Sequence, residues 1–178
     1  MTTKPTKLSR RTFLQSSAGA MAVPLIAPSH LFGQRAPSNV LRIGAIGTGR
    51  MGTGDMQAVA KQGLIEGVDA HVVAVCDLDQ TRAFAAKNWL DKLYKDKLPG
   101  AAPDVGVYRD FRELLARDDI DAVTISTPEH WHALCAIAAA KAKKGIYVQK
   151  PMTYSHREGQ LLVKAVRESG VILQVGSQ

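Results

Sequence analysis

Six short apolar segments alternate with helix-patterned segments through residues 40–175, and this alternation leaves few folds open to the chain. Strands that alternate with helices build βαβ units, in which the strands lie parallel and helices cover the sheet. Because such crossovers are right-handed, we expect an α/β fold with a doubly wound parallel sheet. The predicted strands are 40–46, 71–76, 105–108, 122–126, 146–148 and 171–175, and the predicted helices are 51–62, 79–95, 110–116, 127–144 and 155–170.

A glycine-rich turn with the spacing G-x-G-x-x-G connects the first predicted strand to the first predicted helix. Within a βαβ unit this spacing is the fingerprint of the Rossmann dinucleotide-binding fold. The first glycine permits the tight turn, the second lets the backbone approach a pyrophosphate, and the third lets the helix pack closely on the strand. Backbone N–H groups at the helix start, together with the helix dipole, hold the phosphates. We therefore predict cofactor contacts from Gly47, Thr48, Gly49, Arg50, Met51 and Gly52.

Asp77 directly follows the second predicted strand, where this fold places an acid that accepts hydrogen bonds from the adenosine ribose. A carboxylate at that point repels a 2′-phosphate, so we predict NAD as the cofactor. Arg82 lies nearby in sequence and weakens this preference, which leaves NADP as the alternative. The competing interpretation is purely structural, with a tight turn at the glycines and a helix cap at Asp77.

Residues 1–36 have the features of an export leader. Arg10 and Arg11 precede Phe13, Leu14 and a weakly apolar stretch, which is typical of a twin-arginine signal. The stretch is about 15 residues long and too polar for a stable membrane span. We expect the Tat export machinery as a partner and a periplasmic or other extracytoplasmic location. The competing interpretation is a disordered basic tail. Because this route moves folded proteins, a nicotinamide cofactor can be loaded in the cytoplasm first.

The basic charge of the chain is concentrated in this leader. The chain has 23 Lys and Arg against 16 Asp and Glu, and five of the basic residues but no acidic residue lie within 1–36. The remaining 18 basic and 16 acidic residues nearly balance, so we expect no nucleic-acid partner. His130 and His132 have no Cys, Asp or Glu at metal-ligand spacing, and no metal site is predicted.

Two further motifs follow the fourth and fifth predicted strands. Residues 126–133 read Ser-Thr-Pro-Glu-His-Trp-His-Ala, and residues 149–151 read Gln-Lys-Pro. Together with the glycine turn and Asp77, their order and spacing resemble the Gfo/Idh/MocA oxidoreductases, the group of glucose–fructose oxidoreductase and inositol dehydrogenase. The resemblance extends from about residue 40 to residue 178. It is fairly specific for the family and poorly specific for a substrate.

The resemblance implies roles for individual residues. Thr127 and Pro128 match positions that line the ribose on the nicotinamide side, and His132 matches a histidine that shapes that end of the pocket. Lys150 matches a lysine placed near substrate and nicotinamide, and we predict it as the catalytic residue. The proline that matches Pro151 fixes the direction of this lysine and often follows a cis bond.

One position departs from the family pattern, because the family's Glu before the lysine is Gln149 here. We retain Gln149 among the predicted cofactor-binding residues, although Gln keeps an acceptor oxygen and loses the negative charge. Independently of the resemblance, Lys150 lies just beyond a strand's carboxyl end, where open α/β sheets bind their ligands. An ammonium at that point would stabilise the alkoxide that develops as an alcohol loses hydride. The alternative is an ordinary solvated lysine.

The domain division predicted from these features is a signal peptide and linker over 1–36 and an NAD(P)-binding Rossmann domain over 37–178. The resemblance implies a second α/β domain that carries further catalytic groups, typically an Asp and a His, and that is absent from this chain, so we expect a fragment. In the full-length protein that second domain would carry the usual assembly surface, and a homo-oligomer is compatible with this.

Three functions remain open from the sequence. The first is an NAD(P)-dependent oxidoreductase that transfers hydride to or from a hydroxyl carbon of a sugar or polyol substrate. The second is an NAD-dependent glycosidase of the same fold, against which the Gln-Lys-Pro motif argues mildly. The third is a truncated nucleotide-binding module without catalytic activity.

Overall fold

A computed structural model describes residues 40–177 of the chain. The predicted leader lies outside the described residues. The apolar segments form strands and the segments between them form helices, as the alternation predicts. The strands are β1 (Leu41–Ile46), β2 (Ala70–Cys76), β3 (Gly106–Tyr108), β4 (Ala122–Ile125), β5 (Gly145–Val148) and β6 (Leu173–Val175). The helices are α1 (Arg50–Gln62), α2 (Gln80–Lys97), α3 (Phe111–Leu115), α4 (Glu129–Lys141) and α5 (His156–Ser169).

The six strands form one sheet in the order β3-β2-β1-β4-β5-β6, and all five neighbouring pairs are parallel. This order confirms the predicted doubly wound Rossmann fold. The chain first builds outwards from β1 to β3 and then returns to add β4 on the other side of β1. Ligands of such sheets bind in the crevice at the carboxyl ends of the strands where the order reverses, which is between β1 and β4.

Two apolar cores cover the two faces of the sheet. One core packs α1 and α2 against the sheet and includes Met56, Leu90 and Tyr94, all fully buried. The other packs α3, α4 and α5 and is centred on residues such as Leu114 and Ile125. Buried strands of a parallel sheet are apolar on both faces, which explains why the strands read as continuous apolar runs in the sequence.

The ends of some elements differ from the prediction. The helix predicted over 127–144 begins at Glu129, with Pro128 at the N-cap position and no side-chain hydrogen bond there. That helix ends at Lys141, and Gly145 begins β5. Helix α5 fits the predicted range more closely, since Ser155 and Glu158 form a reciprocal capping box at its start and Gly170 ends it in a left-handed conformation.

Two strands are shorter than the apolar runs that predicted them. β3 pairs with only three residues of β2, and β6 pairs with only three residues of β5. Both β2 and β5 begin before the paired residues, so the edge strands, and not their neighbours, limit where these ladders begin. None of the helices within residues 40–177 has the length and apolar character that crossing a bilayer requires.

The buried hydroxyl of Tyr94 connects α2 to β2 through a hydrogen bond. The register between β1 and β2 shifts beside Val72, and the backbone N–H of Val72 donates a hydrogen bond of 2.7 Å to the hydroxyl oxygen of Tyr94. Burial raises the pKa of Tyr94 to about 12, so the hydroxyl stays protonated at physiological pH.

The Tyr94→Phe substitution should lower the free energy of unfolding by about 1–3 kcal/mol, because it leaves the buried N–H of Val72 without an acceptor. Denaturant titration of the variant measures this loss. Tyr154→Phe is the matched control, since Tyr154 is 70% exposed, and we expect it to change stability by no more than about 0.5 kcal/mol. Equal stability of the two variants would contradict the role of the Tyr94 hydroxyl.

Candidate functional site

A cavity of about 900 Å³ opens at the carboxyl ends of β1, β2 and β4, on the side of the sheet where the strand order reverses. It extends from the glycine turn towards α3 and α4. Seven of the residues predicted to bind a cofactor line it: Gly47, Gly49, Arg50, Met51, Asp77, Thr127 and Pro128.

The glycine turn is held by close backbone contacts. Gly47 has φ +88°, a conformation that favours glycine, and a Cβ there would lie 2.8 Å from the backbone of Ser126. A Cβ on Gly52 would overlap the carbonyl oxygen of Gly47. These two glycines therefore let β1, the start of α1 and the end of β4 approach one another.

Gly49 is different, because a Cβ on it would meet only the guanidinium of Arg82, at 3.8 Å. Gly49 is the N-cap of α1, and the helix start has neither a side-chain cap nor an acidic residue in its first turn. The first N–H groups of a helix lack partners within the helix and attract anions. The space beside Gly49 thus leaves the start of α1 accessible to an anion.

Asp77 closes the other side of the turn. One carboxylate oxygen accepts hydrogen bonds from the backbone N–H and the hydroxyl of Thr48, at 2.8 and 3.1 Å, and the other accepts from the backbone N–H of Asp79, at 2.9 Å. Asp79, and not Asp77, is the N-cap of α2. Asp77 is half-buried on the cavity wall, and each carboxylate oxygen already accepts at least one hydrogen bond within the protein.

Thr127 carries a hydroxyl oxygen that is buried and has no hydrogen-bond partner among residues 40–177. It lines the cavity at the end of β4. A buried hydroxyl without a partner is costly, and a ligand hydroxyl or amide in the cavity would satisfy it.

The rest of the wall includes two thiols. Cys76 and Cys135 both line the cavity and are buried. Burial raises the pKa of each thiol to about 12, so both are neutral at physiological pH and form part of the cavity's apolar surface. Among residues 40–177 no group of three or more metal-ligating side chains occurs.

The other five predicted residues do not line the cavity. Thr48, Gly52, His132 and Gln149 are buried, and Lys150 is exposed. The imidazole of His132 lies between two loops, with Nδ1 2.6 Å from the carbonyl oxygen of Pro151 and Nε2 2.8 Å from that of Thr127. His132 thus connects the loop after β4 with the loop after β5 and shapes the site from behind.

Gln149 is held by a carboxylate from α1. Its side-chain N–H group lies 3.2 Å from Oδ2 of Asp55, which also accepts a hydrogen bond of 2.6 Å from the hydroxyl of Ser126. The amide oxygen of Gln149 accepts from the backbone N–H of Lys150, at 2.9 Å. The bond between Lys150 and Pro151 is cis, as the resemblance implies. Within residues 40–177, the ammonium group of Lys150 has no hydrogen-bond or ion-pair partner.

Two residues of this arrangement were not predicted from the sequence as functional. Ser126 was read only as part of a motif, and Asp55 was not singled out at all. The signal for Asp55 is its place three residues after the last glycine of the turn, one helical turn on from Gly52. That spacing alone names no partner, because Gln149 is 94 residues away in the chain.

The sequence matches the profile of an oxidoreductase family described by its NAD-binding Rossmann fold over residues 41–177, which is most of the chain. The chain belongs to the Gfo/Idh/MocA family. This confirms the resemblance found in the sequence motifs, and NAD is the cofactor of the family's Rossmann domain. The open space at Gly49 and the unpartnered hydroxyl of Thr127 fit such a group.

Similar proteins include both glycosidases and dehydrogenases. The chain is 35% identical over 141 residues to a glycosyl hydrolase family 109 protein of Shewanella baltica, covering 79% of this chain and 27% of the relative. It is 34% identical over 142 residues to an alpha-N-acetylgalactosaminidase of Shewanella oneidensis, covering 80% and 28%. The Gfo/Idh/MocA chain therefore spans about a quarter of the length of these curated relatives.

Among solved structures, the chain resembles the WlbA dehydrogenase of Bordetella pertussis in complex with NADH and UDP-GlcNAcA. The TM-score is 0.63 and the identity 28%, over 77% of this chain and 37% of that one.

Gly47 and Gly49 should respond differently to alanine substitution, because the added methyl group meets backbone in one case and open space in the other. Gly47→Ala should lower the free energy of unfolding by about 1–3 kcal/mol. Gly49→Ala should leave stability within about 1 kcal/mol and weaken NADH binding by about 10-fold or more. Thermal unfolding and NADH fluorescence titration measure the two effects.

Gly54→Ala is the control for this pair, since a Cβ at this position of α1 meets nothing within 4 Å. We expect unchanged NADH affinity and equal or slightly higher stability. Full NADH affinity in Gly49→Ala would contradict the assignment of the phosphate position.

Proposed function

We propose that this chain is the cofactor-binding part of an exported NAD-dependent oxidoreductase that acts on a hydroxyl carbon of a sugar or polyol. The observation that carries the proposal is the arrangement at the sheet's carboxyl edge. One cavity extends from the start of α1, where Gly49 leaves space, to the hydroxyl of Thr127, which has no hydrogen-bond partner within residues 40–177. Lys150 follows β5, the strand next to β4, and its ammonium group has no ion-pair partner among the same residues.

The cavity residues bind and orient the cofactor. The N–H groups at the start of α1 hold the pyrophosphate, and Asp77 accepts hydrogen bonds from the adenosine ribose. Thr127 and Pro128 contact the ribose at the nicotinamide end. When bound, NAD accepts a hydride from the substrate carbon or returns one to it.

Lys150 acts on the substrate oxygen. As a hydroxyl carbon is oxidised, its oxygen must lose a proton, and a nearby ammonium stabilises the negative charge that develops on it. The hydroxyl proton must pass to a general base, and we assign that role to no residue within 40–177. The exposure of Lys150 and its lack of a partner within residues 40–177 support this role.

The substrate class is proposed from the relatives. The WlbA dehydrogenase was solved with a nucleotide sugar, and the Shewanella proteins carry glycosidase names. All of these names refer to sugar chemistry, which supports a sugar or a related polyol for this protein.

A second candidate is an NAD-dependent glycosidase, which the two Shewanella relatives favour. Its transient oxidation of a sugar would use the same cofactor cavity. A dehydrogenase accumulates NADH in proportion to the substrate that it oxidises, whereas a glycosidase releases free sugar without net formation of NADH. Incubation of the full-length protein with NAD and aryl glycosides, with nicotinamide absorbance and free sugar followed together, separates the two. Saturable NADH binding with neither product would favour a module without catalytic activity.

We also propose export by the twin-arginine route to the periplasm or another extracytoplasmic location. The paired arginines and the weakly apolar stretch in residues 1–36 support it. The folded, cofactor-loaded protein would be the exported form. Replacement of Arg10 and Arg11 by Lys should retain the protein in the cytoplasm of a host with this route, and fractionation tests it.

Asp77→Ala should weaken NADH binding by about 10- to 100-fold and reduce the preference for NADH over NADPH, because it removes the ribose acceptor and its charge. Fluorescence titration with each nucleotide measures both effects. Asp91→Ala is the control, because Asp91 is paired with Lys87 on α2 and does not line the cavity. Unchanged affinity in Asp77→Ala would show that the ribose contact is misplaced.

Lys150→Met should lower kcat for sugar oxidation in the full-length protein by about 100-fold or more and leave the Kd for NADH within about threefold. Lys164→Met serves as the control, since this exposed lysine lies on α5 and pairs with Glu168. An unchanged kcat in Lys150→Met would contradict the proposed role of the ammonium group.

A further inference from the structure

Asp55 connects three of the segments that carry predicted functional residues: α1, the loop after β4 and the loop after β5. It stands on α1, one turn after the glycine motif, and is half-buried. Its carboxylate accepts hydrogen bonds from Ser126, which directly precedes Thr127, and from Gln149, which directly precedes Lys150. No other side chain within residues 40–177 has hydrogen bonds that join all three segments.

The side chain at position 149 has to donate a hydrogen bond to Asp55 and accept one from the backbone N–H of Lys150. The Gln149 amide does both, since its N–H group faces Asp55 and its oxygen accepts from the backbone N–H of Lys150. Gln149 is only 4% exposed, so water does not replace these contacts easily. A deprotonated Glu at 149 would still accept from Lys150 but would place a second carboxylate against Asp55.

We propose that Asp55 is a positioning residue for Lys150 that acts through the Gln149 amide. Through the Gln149 amide, Asp55 fixes the backbone from which the Lys150 side chain starts, and through Ser126 it fixes the loop of Thr127. The pair of Asp55 and Gln149 is a matched acceptor and donor, and a carboxylate at position 149 would not fit beside Asp55. The role toward Lys150 rests on the proposed function, whereas the pairing itself does not.

A charge swap tests the pairing in the chain itself. Gln149→Glu should lower Tm by about 5 °C at pH 8 and by less than about 2 °C at pH 5, because two adjacent carboxylates repel and share a proton only at low pH. Asp55→Asn should have a small effect, since Asn still accepts from Ser126. The double variant D55N/Q149E restores one donor and one acceptor and should recover at least half of the Tm lost at pH 8.

The titratable groups of the surrounding elements are retained in every variant. They are Lys150, Tyr147 on β5, His132 on α4 and Asp77 on the far side of the glycine turn. The double variant has the same net charge as the unaltered protein and therefore controls for the response of these groups to an added charge. Gln160→Glu adds the same charge at an exposed position of α5 and should shift Tm by no more than about 1 °C at either pH. A Gln149→Glu loss that is equal at both pH values, or a double variant no more stable than Gln149→Glu at pH 8, would overturn the pairing.

Kinetic measurements on the full-length protein test the positioning role. Gln149→Glu should lower kcat by about 10-fold or more with the Kd for NADH changed by less than about threefold, and D55N/Q149E should restore kcat. If NADH affinity falls together with kcat, the pair holds the cofactor site and does not position Lys150, and the proposal is overturned. Absence of NADH binding by the unaltered protein would instead contradict the proposed function and leave the Tm result on the pairing standing.

Discussion

The structure of the site depends on how closely three backbone segments approach one another at the glycine turn. Gly52 lets α1 start against the carbonyl oxygen of Gly47, and Gly47 lets the turn lie against the backbone of Ser126. A side chain at either position would push the helix start away from β4. That approach helps to shape the cavity, because the start of α1 and the loop after β4 form part of its wall. It also brings α1 close enough to β4 and β5 for a carboxylate on the helix to reach both.

The polar groups of the site fall into two layers around this contact. The outer layer faces the cavity and consists of groups that a ligand can satisfy, such as the helix start and the Thr127 hydroxyl. The inner layer is buried and satisfied within the protein, through His132 between two carbonyl oxygens and Gln149 between Asp55 and a backbone N–H. Functional groups are held accurately when the residues behind them are themselves fixed by hydrogen bonds. The inner layer therefore accounts for residues that were predicted to bind cofactor but lie outside the cavity wall.

The fold could be predicted from the sequence because its signals are local. Apolar runs, capping residues and the glycine turn each lie within a few residues of the element they define, and the parallel order follows from the handedness of crossovers. Element ends were less accurate, since β3 and β6 are shorter than the apolar runs that predicted them and α4 starts after Pro128. The Asp55 network was missed because its members are distant in sequence and their types are ordinary. Only the packing of α1 on the sheet brings them together.

The two cysteines in the cavity wall bear on where such a protein can work. Burial raises the pKa of both thiols to about 12, so both are protonated at neutral pH. Oxidants and disulfide-exchange catalysts react with the thiolate, and the protonated form reacts slowly. If the protein is exported as proposed, burial would slow the oxidation of these two thiols in the oxidising compartment that it enters.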